Sequence, residues 1–228
     1  MRYCLSDIHG EYDLFKKLLD KIDFSDGDKM YICGDIIEKG NDSIRLAQLI
    51  SSFHNIHCVL GNHELGFLNY YHLLMGKSPD DFDEVLKKLQ AYFPEDGHLL
   101  DWALVDWFDE LPSYIEEDDF ICVHAGIPID SQNNIMPLAE VDVEYLVNDR
   151  KFKEPRLTHT GHKCVFFGHT PTVYISGDNR IITYKRDENK IPESIRDFYK
   201  IHLDTGAWQS GTLGCFCIDN LQCFYINK

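Results

Sequence analysis

The sequence of 228 residues has no apolar run that approaches the ~18 residues needed to span a bilayer. It also has no signal-peptide core, because the N-terminus turns acidic at Asp7 before an apolar stretch develops. Positive charge is scarce, with 22 Lys and Arg against 38 Asp and Glu and a net charge of −16. Nucleic acid and anionic membranes would repel such a chain. We therefore expect a cytoplasmic protein without nucleic-acid or membrane partners, in which metal ions supply the positive charge that a phosphate substrate requires.

Cysteine pairs of the C-x-x-C type are also absent, although the chain has eight cysteines. A structural zinc site built on such pairs is therefore not expected. Most of the cysteines lie inside apolar runs, where a free thiol behaves as a small hydrophobic group, so we predict reduced thiols in the core. Internal repeats, low-complexity segments and linkers are lacking as well. The length then favours a single domain over residues 1–228.

Apolar runs alternate with helical periodicity through the first 65 residues. Three short apolar runs each predict a strand followed by a polar loop, at residues 2–5, 30–33 and 56–60. Between them, apolar residues recur at helical spacing from Leu14 to Ile22 and from Ile44 to Phe53, which predicts two amphipathic helices. This alternation is typical of parallel βαβ units with right-handed crossovers.

The rest of the chain divides into a helical segment and a strand-rich half. Residues 65–110 are rich in aromatics and interrupted by Pro79 and Pro94, and we predict three helices packed beside the sheet. A short helical patch is expected at 140–147. The predicted strands of the second half are 113–115, 120–123, 164–167, 173–176, 180–183, 200–203, 213–218 and 222–226. Turn residues at 177–179 and 219–220 suit hairpins between the last of these strands.

Residue types that bind metals follow five of the predicted strands. They are Asp7 and His9, Asp35, Asn62 and His63, His124, and His169. Taken singly, each has an ordinary explanation, since Asp7 and Asn62 suit helix N-caps and a lone histidine is usually a loop or core residue. Taken together, they are expected to meet, because the ends of neighbouring strands converge at one rim of a sheet. Oxygen and imidazole donors of this kind suit Mn, Fe, Zn or Co rather than Ca or Cu(I).

Five short motifs contain these residues. They are Asp-Ile-His-Gly at 7–10, Gly-Asp-Ile-Ile-Glu-Lys-Gly at 34–40, Gly-Asn-His-Glu at 61–64, Val-His-Ala-Gly at 123–126 and Gly-His-Thr-Pro at 168–171. In this order the chain resembles the calcineurin-like metallophosphoesterases. It is most similar to the phosphoprotein phosphatase branch, with its bacterial and phage serine/threonine phosphatases and symmetrical diadenosine tetraphosphatases. The resemblance implies an α/β fold, an αββα sandwich of two mixed β-sheets flanked by helices, with the helical segment at 65–110 inserted.

The same resemblance implies a site for two divalent metal ions, Mn²⁺ first, with Fe, Zn, Co or Ni as alternatives. Such a pair of ions shares a bridging hydroxide nucleophile and polarises the phosphoryl group. The matching positions are Asp7 and His9 for the first ion, Asn62, His124 and His169 for the second, and Asp35 as the bridge. His63 matches the general acid that protonates the leaving group.

Two positions depart from the pattern of the family. Glu38 stands in place of the aspartate that orients the acid histidine, and Lys39 in place of an arginine that grips phosphate. The longer Glu38 can still reach, whereas Lys39 keeps the charge but loses the planar bidentate fork. Arg150 matches a second phosphate-binding arginine, although the tryptophan usual near it is missing, and a solvated loop cation is the alternative.

The remaining expectations concern residues beside the motifs. Asp204 precedes Thr-Gly at a strand end, which favours a structural turn over a metal ligand. Gly40, Gly61 and Gly168 are expected to permit tight turns that aim the ligands. His162 lies outside any motif and is expected at the surface.

The resemblance implies a metal-dependent phosphomonoester hydrolase. The first expectation is a serine/threonine protein phosphatase acting on a phosphoprotein or small phosphorylated substrate. The alternative is a dinucleoside polyphosphate hydrolase on the same site, with specificity built by residues 65–110. A third hypothesis, an interaction module with impaired chemistry, is disfavoured because the full set of ligands is present. The oligomeric state is left open.

Overall fold

The computed structural model describes residues 1–76, 79–90, 92 and 102–228. The strands in chain order are β1 Arg2–Leu5, β2 Lys29–Ile32, β3 Ile56–Cys58, β4 Tyr114–Glu116, β5 Phe120–Val123, β6 Cys164–Phe167, β7 Ile182–Lys185, β8 Phe198–His202, β9 Thr212–Cys217 and β10 Cys223–Asn227. The helices are α1 Tyr12–Ile22, α2 Ser43–Ser51, α3 Asn62–Met75, α4 Pro79–Gln90, α5 Trp102–Asp109, α6 Val143–Asn148, α7 Val173–Ser176 and α8 Ala207–Ser210.

The strands form two mixed sheets of five strands each. The first has the order β10-β9-β1-β2-β3, and the second has the order β4-β5-β6-β8-β7. In the first sheet β1, β2 and β3 are parallel, and in the second β5, β6 and β8 are parallel. The predicted α/β sandwich of two mixed sheets flanked by helices is therefore confirmed, as are the βαβ units of the first 65 residues.

Apolar side chains pack in layers on both faces of each sheet. Alternate residues of a strand point to opposite faces, so Cys4 joins the layer between the two sheets while its neighbour Leu5 packs against the helices. Phe166 and Phe216 come from different sheets and meet with ring centroids 5.8 Å apart in the central layer. A third layer, around Phe152, covers the outer face of the second sheet.

The helical prediction for residues 65–110 is confirmed where the chain is described. The segment contains α3, α4 and α5, and α3 starts three residues earlier than predicted, at Asn62. Pro79 occupies the first position of α4, where its missing N–H costs no hydrogen bond. Pro94 lies outside the described residues. Across the described part of the chain, no helix is both long and apolar enough to span a membrane.

The prediction of a strand at 173–176 is wrong, because this stretch is the short helix α7. Its β-branched composition favours a strand, but the turn begins directly after Pro171, and Thr172 O accepts hydrogen bonds from Ile175 N and Ser176 N, both at 2.9 Å. Gly177, at φ 77°, then ends the helix in the left-handed conformation. The predicted hairpin at 177–179 is therefore wrong as well, and the next strand begins at Ile182 rather than 180.

Two further predictions agree with the structure. The turn at 219–220 joins β9 and β10, which pair antiparallel. All eight cysteines are free thiols, seven of them buried and Cys223 exposed.

Candidate active site

The loops that follow β1, β2, β5 and β6 meet at one rim of the sandwich. The loop after β1 is bonded to the loop after β2, since Asp7 N donates to Gly34 O at 3.1 Å and His9 N donates to Asp35 O at 3.0 Å. The second sheet joins them through Asp7, whose Oδ2 accepts the His169 N–H at 3.0 Å. Strand ends from both sheets therefore converge, as predicted.

The backbone at this rim is unusual. Among the described residues, nine other than glycine have positive φ, and six of them belong to the predicted site. These six are Asp7, His9, Asp35, Glu38, Lys39 and His169. The left-handed region costs energy for residues with a Cβ, and such strain gathers where surrounding structure enforces it for function.

Asp35 lies at the centre of the rim. Its Oδ2 is 3.5 Å from His9 Nε2, 3.4 Å from His124 Nε2 and 3.7 Å from His63 Nε2. The carboxylate is 2% exposed, and burial, with the nearby charges of Asp7 and Glu64, raises the pKa of Asp35 well above its usual range. One buried carboxylate therefore faces three imidazoles that come from both sheets.

A compact set of donors lies on one side of Asp35. Asn62 Oδ1 is 2.9 Å from His124 Nε2 and 2.8 Å from His169 Nδ1, and the two ring nitrogens are 3.1 Å apart. These are the three residues predicted for the second ion. On the other side of Asp35, His9 Nε2 lies 3.9 Å from Asp7 Oδ1, which are the residues predicted for the first ion.

Hydrogen bonds to backbone carbonyls fix which nitrogen two of the histidines present. Nδ1 of His9 donates to Ile37 O at 3.1 Å, and Nδ1 of His124 donates to Cys33 O at 2.8 Å. A carbonyl can only accept, so in each ring the proton lies on Nδ1 and the lone pair of Nε2 faces Asp35. Metal-binding histidines are usually oriented in this way.

The charge state of the imidazoles also suits metal binding. Burial, with the charge of Lys39 as the next cause, lowers the pKa of His9 well below its usual range. Burial, His124 and Arg150 together lower the pKa of His169 to about 2. Imidazoles beside carboxylate and amide oxygens form a hard-to-borderline donor set, so the groups His9–Asp35–His63 and Asp35–His124–His169 fit divalent metal ions.

His63 belongs to the first of these two donor groups and also contacts Glu38. Its Nδ1 is hydrogen-bonded to Glu38 Oε2, its backbone N–H donates to Asp35 Oδ1 at 3.1 Å, and its ring packs edge-on to His9 with centroids 4.8 Å apart. Burial alone would lower the pKa of His63, but the hydrogen bond that His63 donates to Glu38 and the charge of Asp35 outweigh it and raise the pKa. The longer acid at position 38 therefore reaches the histidine, as predicted.

The two predicted phosphate-binding cations line a cavity of about 310 Å³ beside the histidines. Lys39 Nζ donates to His9 Nε2 at 3.2 Å, and Arg150 is exposed and lines the same cavity, as does His169. Asp204 lines the same cavity. These positions give positive charge to one small region of a chain whose net charge is −16.

Glu64 has a structural role that the sequence analysis did not assign. The side chain is 0% exposed and accepts four backbone N–H bonds, from Gly61 at 3.0 Å, Asp35 at 2.9 Å, Ile36 at 2.8 Å and Ile37 at 3.0 Å. It therefore fixes the loop that carries Asp35 onto the start of α3. The signal was present, because an acid at the third position of a helix is typical of a capping box.

Asp204 forms the structural turn that the sequence favours and also lines the cavity. Its Oδ1 accepts the Gly206 N–H at 2.9 Å, which is the predicted turn. It also lines the cavity, and burial, with the charge of Asp7 as the next cause, raises its pKa well above the usual range. The carboxylate is therefore close to the donor groups as well as structural.

The three glycines singled out in the motifs serve close packing rather than a special backbone angle. None of Gly40, Gly61 and Gly168 has positive φ, which corrects the prediction that tight turns require them. A Cβ at Gly168 would collide with the side chains of Ser6 and Asp7, and one at Gly61 would collide with Asp35. Glycine is needed there because two loops approach each other too closely for any side chain. His162 is exposed, as predicted.

Two mixed sheets that bring two groups of metal-binding side chains to one rim define a metallophosphoesterase-type α/β sandwich. The profile of the calcineurin-like phosphoesterases matches residues 3–201, and the chain belongs to this family. It is accordingly a hydrolase of the phosphoesterase class.

Curated relatives share much of the chain. A symmetrical bis(5'-nucleosyl)-tetraphosphatase from Buchnera aphidicola is 29% identical over 218 residues, which are 94% of this chain and 70% of the relative. A protein of the same name from Wigglesworthia glossinidia brevipalpis is 34% identical over 199 residues, 85% of this chain and 63% of the relative. The chain thus spans about two thirds of the length of these relatives.

Solved structures confirm the fold. A crystal structure described as a candidate diadenosine tetraphosphatase superposes with a TM-score of 0.65 at 19% identity, covering 99% of this chain and 92% of that one. A cold-active protein-tyrosine phosphatase from a Shewanella species gives a TM-score of 0.51 at 17% identity, with 99% and 80% covered.

Proposed function

We propose that this chain hydrolyses symmetrical dinucleoside tetraphosphates into two nucleoside diphosphates. The observation that carries the chemistry is the convergence of two donor groups on Asp35, with the His63–Glu38 pair beside them. The choice of substrate is supported by the curated relatives, which are named as symmetrical tetraphosphatases over most of this chain. This reverses the order of the two expectations from sequence, which had a serine/threonine protein phosphatase first.

The proposed metal ligands are Asp7, His9, Asp35, Asn62, His124 and His169, and Mn²⁺ is the proposed ion. When bound, two divalent ions would activate water and neutralise charge on the phosphoryl group while the leaving oxygen is displaced in line. The carbonyls of Ile37 and Cys33 orient the rings of His9 and His124, and the bonds to Glu64 hold the loop that carries Asp35.

His63 is the proposed general acid. Breaking the central anhydride leaves a terminal phosphate oxygen on one nucleoside diphosphate, and that oxygen takes the proton of His63 Nε2 while water supplies the new oxygen on the other half. Glu38 at Nδ1 stabilises the protonated ring, consistent with the raised pKa of His63. Only Nε2 is then left to face the substrate.

Lys39 and Arg150 are the proposed phosphate-binding residues. A tetraphosphate chain carries several negative charges, and the acidic surface of this protein repels it everywhere except where cations gather. Both side chains line the same cavity as His9 and His169, so a polyphosphate bound at the donor groups would have cations to contact.

A phosphoprotein phosphatase remains the competing function. Arg150 and the mouth of the cavity are exposed, so a phosphorylated side chain on a protein surface can also reach the donor groups. The ligands and the acid would be the same for both substrates.

A direct comparison tests the proposal. We expect purified protein with Mn²⁺ to hydrolyse diadenosine tetraphosphate with a kcat/KM at least about tenfold higher than that for phosphoserine or phosphotyrosine peptides, a margin typical of substrate discrimination. ADP should be the sole product. A chelator should abolish the activity. Faster turnover of a peptide would favour the phosphatase. Activity that survives chelation would contradict the metal mechanism, and failure on all three substrates would favour an interaction module.

A further inference from the structure

The cavity beside the donor groups extends to two exposed aromatic rings. Tyr174 is 66% exposed and Trp208 is 47% exposed, and both line the cavity that holds His9, Lys39 and Arg150. Large aromatic side chains that are exposed to water do not contribute the free energy that burial of their apolar surface in the core would give. Such rings commonly serve a ligand, because they offer broad contact area with few rotatable bonds.

Both rings are presented by turns that are tied to the rest of the site. Tyr174 lies on α7 and Trp208 on α8, and Gln209 Nε2 donates to the Tyr174 hydroxyl at 2.7 Å, which joins the two elements. Thr172 N donates to Asp204 O at 2.8 Å, so the start of α7 is held by the residue that lines the cavity floor. The aromatic pair therefore has a defined position relative to the donor groups.

We propose that Tyr174 and Trp208 form a stacking platform for a nucleobase of the substrate. This inference rests on the proposed function, because it assigns the base of a dinucleoside polyphosphate to these rings while Lys39 and Arg150 contact its phosphates. A nucleotide joins an anionic chain to a flat π surface, and this cavity is lined by both cations and flat π surfaces. Stacking on aromatic side chains is a general mode of base recognition.

A different occupant would fit these features less well. A phosphoserine peptide offers a phosphate but no flat group at a fixed distance from it. A phosphotyrosine peptide has a ring, but that ring is bonded directly to the phosphate, without the sugar that separates a base from its phosphates. The two rings come from α7 and α8 and line the same cavity as the histidines and cations, which favours a ligand that has both phosphates and a separate flat base.

Binding of ADP, the expected product, tests the platform without turnover. Isothermal titration in Mn²⁺ should give an ADP dissociation constant about tenfold weaker in Trp208→Ala and in Tyr174→Ala than in wild type, the effect expected when a stacking ring is removed. Inorganic tripolyphosphate, which has no base, should lose much less affinity. Trp208→Phe keeps a ring and should stay within about twofold of wild type.

Trp102→Ala is the matched control. Trp102 is 60% exposed on α5 and does not line the cavity, so its loss should change neither ADP nor tripolyphosphate binding. Thermal melts of every variant report whether it is folded. Turnover of diadenosine tetraphosphate should fall with ADP affinity, through KM rather than kcat.

The two proposals fail in different places. If wild type does not cleave diadenosine tetraphosphate, the proposed function fails, and this is seen before any variant is made. The platform is overturned if both variants bind ADP as wild type does, or if ADP and tripolyphosphate lose affinity equally. It is also overturned if only phosphotyrosine peptide binding weakens, which would assign the rings to an aryl phosphate.

Discussion

Two regions of this protein bury polar side chains, and they do so in opposite ways. At the rim, Asp35 and its neighbouring histidines face one another, and their side-chain donors point into a shared space. Beneath the second sheet, Lys200 on β8 is 0% exposed, yet its ammonium donates to the carbonyls of Phe152 and Glu154 and lies 4.8 Å from the Tyr184 ring. The ammonium of Lys200 is thus bonded to backbone carbonyls and does not face a shared space with other donors.

The comparison teaches that burial of a titratable group does not by itself mark a functional site. The Lys200 region has ordinary backbone, and its neighbour His202 simply stacks on Phe167 with centroids 4.4 Å apart. The rim instead combines left-handed backbone, donors that converge on one carboxylate, and access to a cavity. Its polar groups are arranged for a ligand, whereas those around Lys200 are arranged for packing.

The largest effect is expected at the rim. Replacing His63→Asn should lower kcat by about 10²–10⁴, the range typical for loss of a general acid, and should leave bound metal unchanged. Steady-state kinetics with metal analysis of the purified variant makes the measurement. His63 Nε2 also lies in a donor group with His9 and Asp35, so a variant that loses its metal would show that His63 is a ligand instead.

An intermediate effect, on stability alone, is expected in the Lys200 region. Burial lowers the pKa of Lys200 to about 7, with Glu154 and Asp149 opposing the shift, whereas an unfolded lysine titrates near 10.4. Between those values the unfolded chain binds a proton that the native chain does not, so this group makes stability rise with pH, by at most about 1.4 kcal/mol per pH unit.

Urea unfolding measures how the free energy of unfolding changes with pH. Wild type and Lys200→Met are compared at about pH 7.5, 8.5 and 9.5, which span the window between the two pKa values. The stability of wild type relative to the variant should rise across the series. The exposed Lys88→Met serves as control and should keep the wild-type slope. Parallel profiles for wild type and Lys200→Met would mean that Lys200 is charged in the native state throughout, held by its carbonyls and rings.

The smallest effects are expected from restoring the usual residues of the family at the rim. Lys39→Arg should improve KM for diadenosine tetraphosphate by about threefold, because a guanidinium can bind phosphate with two parallel bonds. Glu38→Asp should lower kcat by a similar factor, since Glu38 already reaches His63 and a shorter acid must retreat from it. Unchanged kcat/KM in both variants would count against their proposed roles.

The architecture of the rim was predictable because each part has a local signal. A short apolar run followed by Asp, His or Asn places a donor at a strand end, and parallel pairing brings these ends together. The donors His9, Asp35, His124 and His169 therefore meet where the sequence places them. The Glu38–His63 contact was predicted only from the resemblance of the motifs to those of the family, because no spacing rule links residues 25 apart in sequence.

Other features depend on contacts that sequence patterns do not encode. The stretch 173–176 has strand-like residues, yet Thr172, Gly177 and the bond to Asp204 make it helical. Tertiary packing also places Tyr174 on α7 and Trp208 on α8 in the same cavity as the histidines. No pattern in the sequence predicts this placement. The role of Glu64 required knowing which N–H groups of a distant loop point at it.

The first turn of α3 combines three duties that many enzymes keep apart. Asn62 contributes a donor, His63 the proposed proton, and Glu64 the carboxylate that receives the N–H groups of 35–37. Fraying of this one turn would therefore remove a proposed ligand, the proposed acid and the support of the loop that carries Asp35 at once. If those roles hold, we expect turnover to be lost when the start of this helix opens, before the sandwich as a whole unfolds.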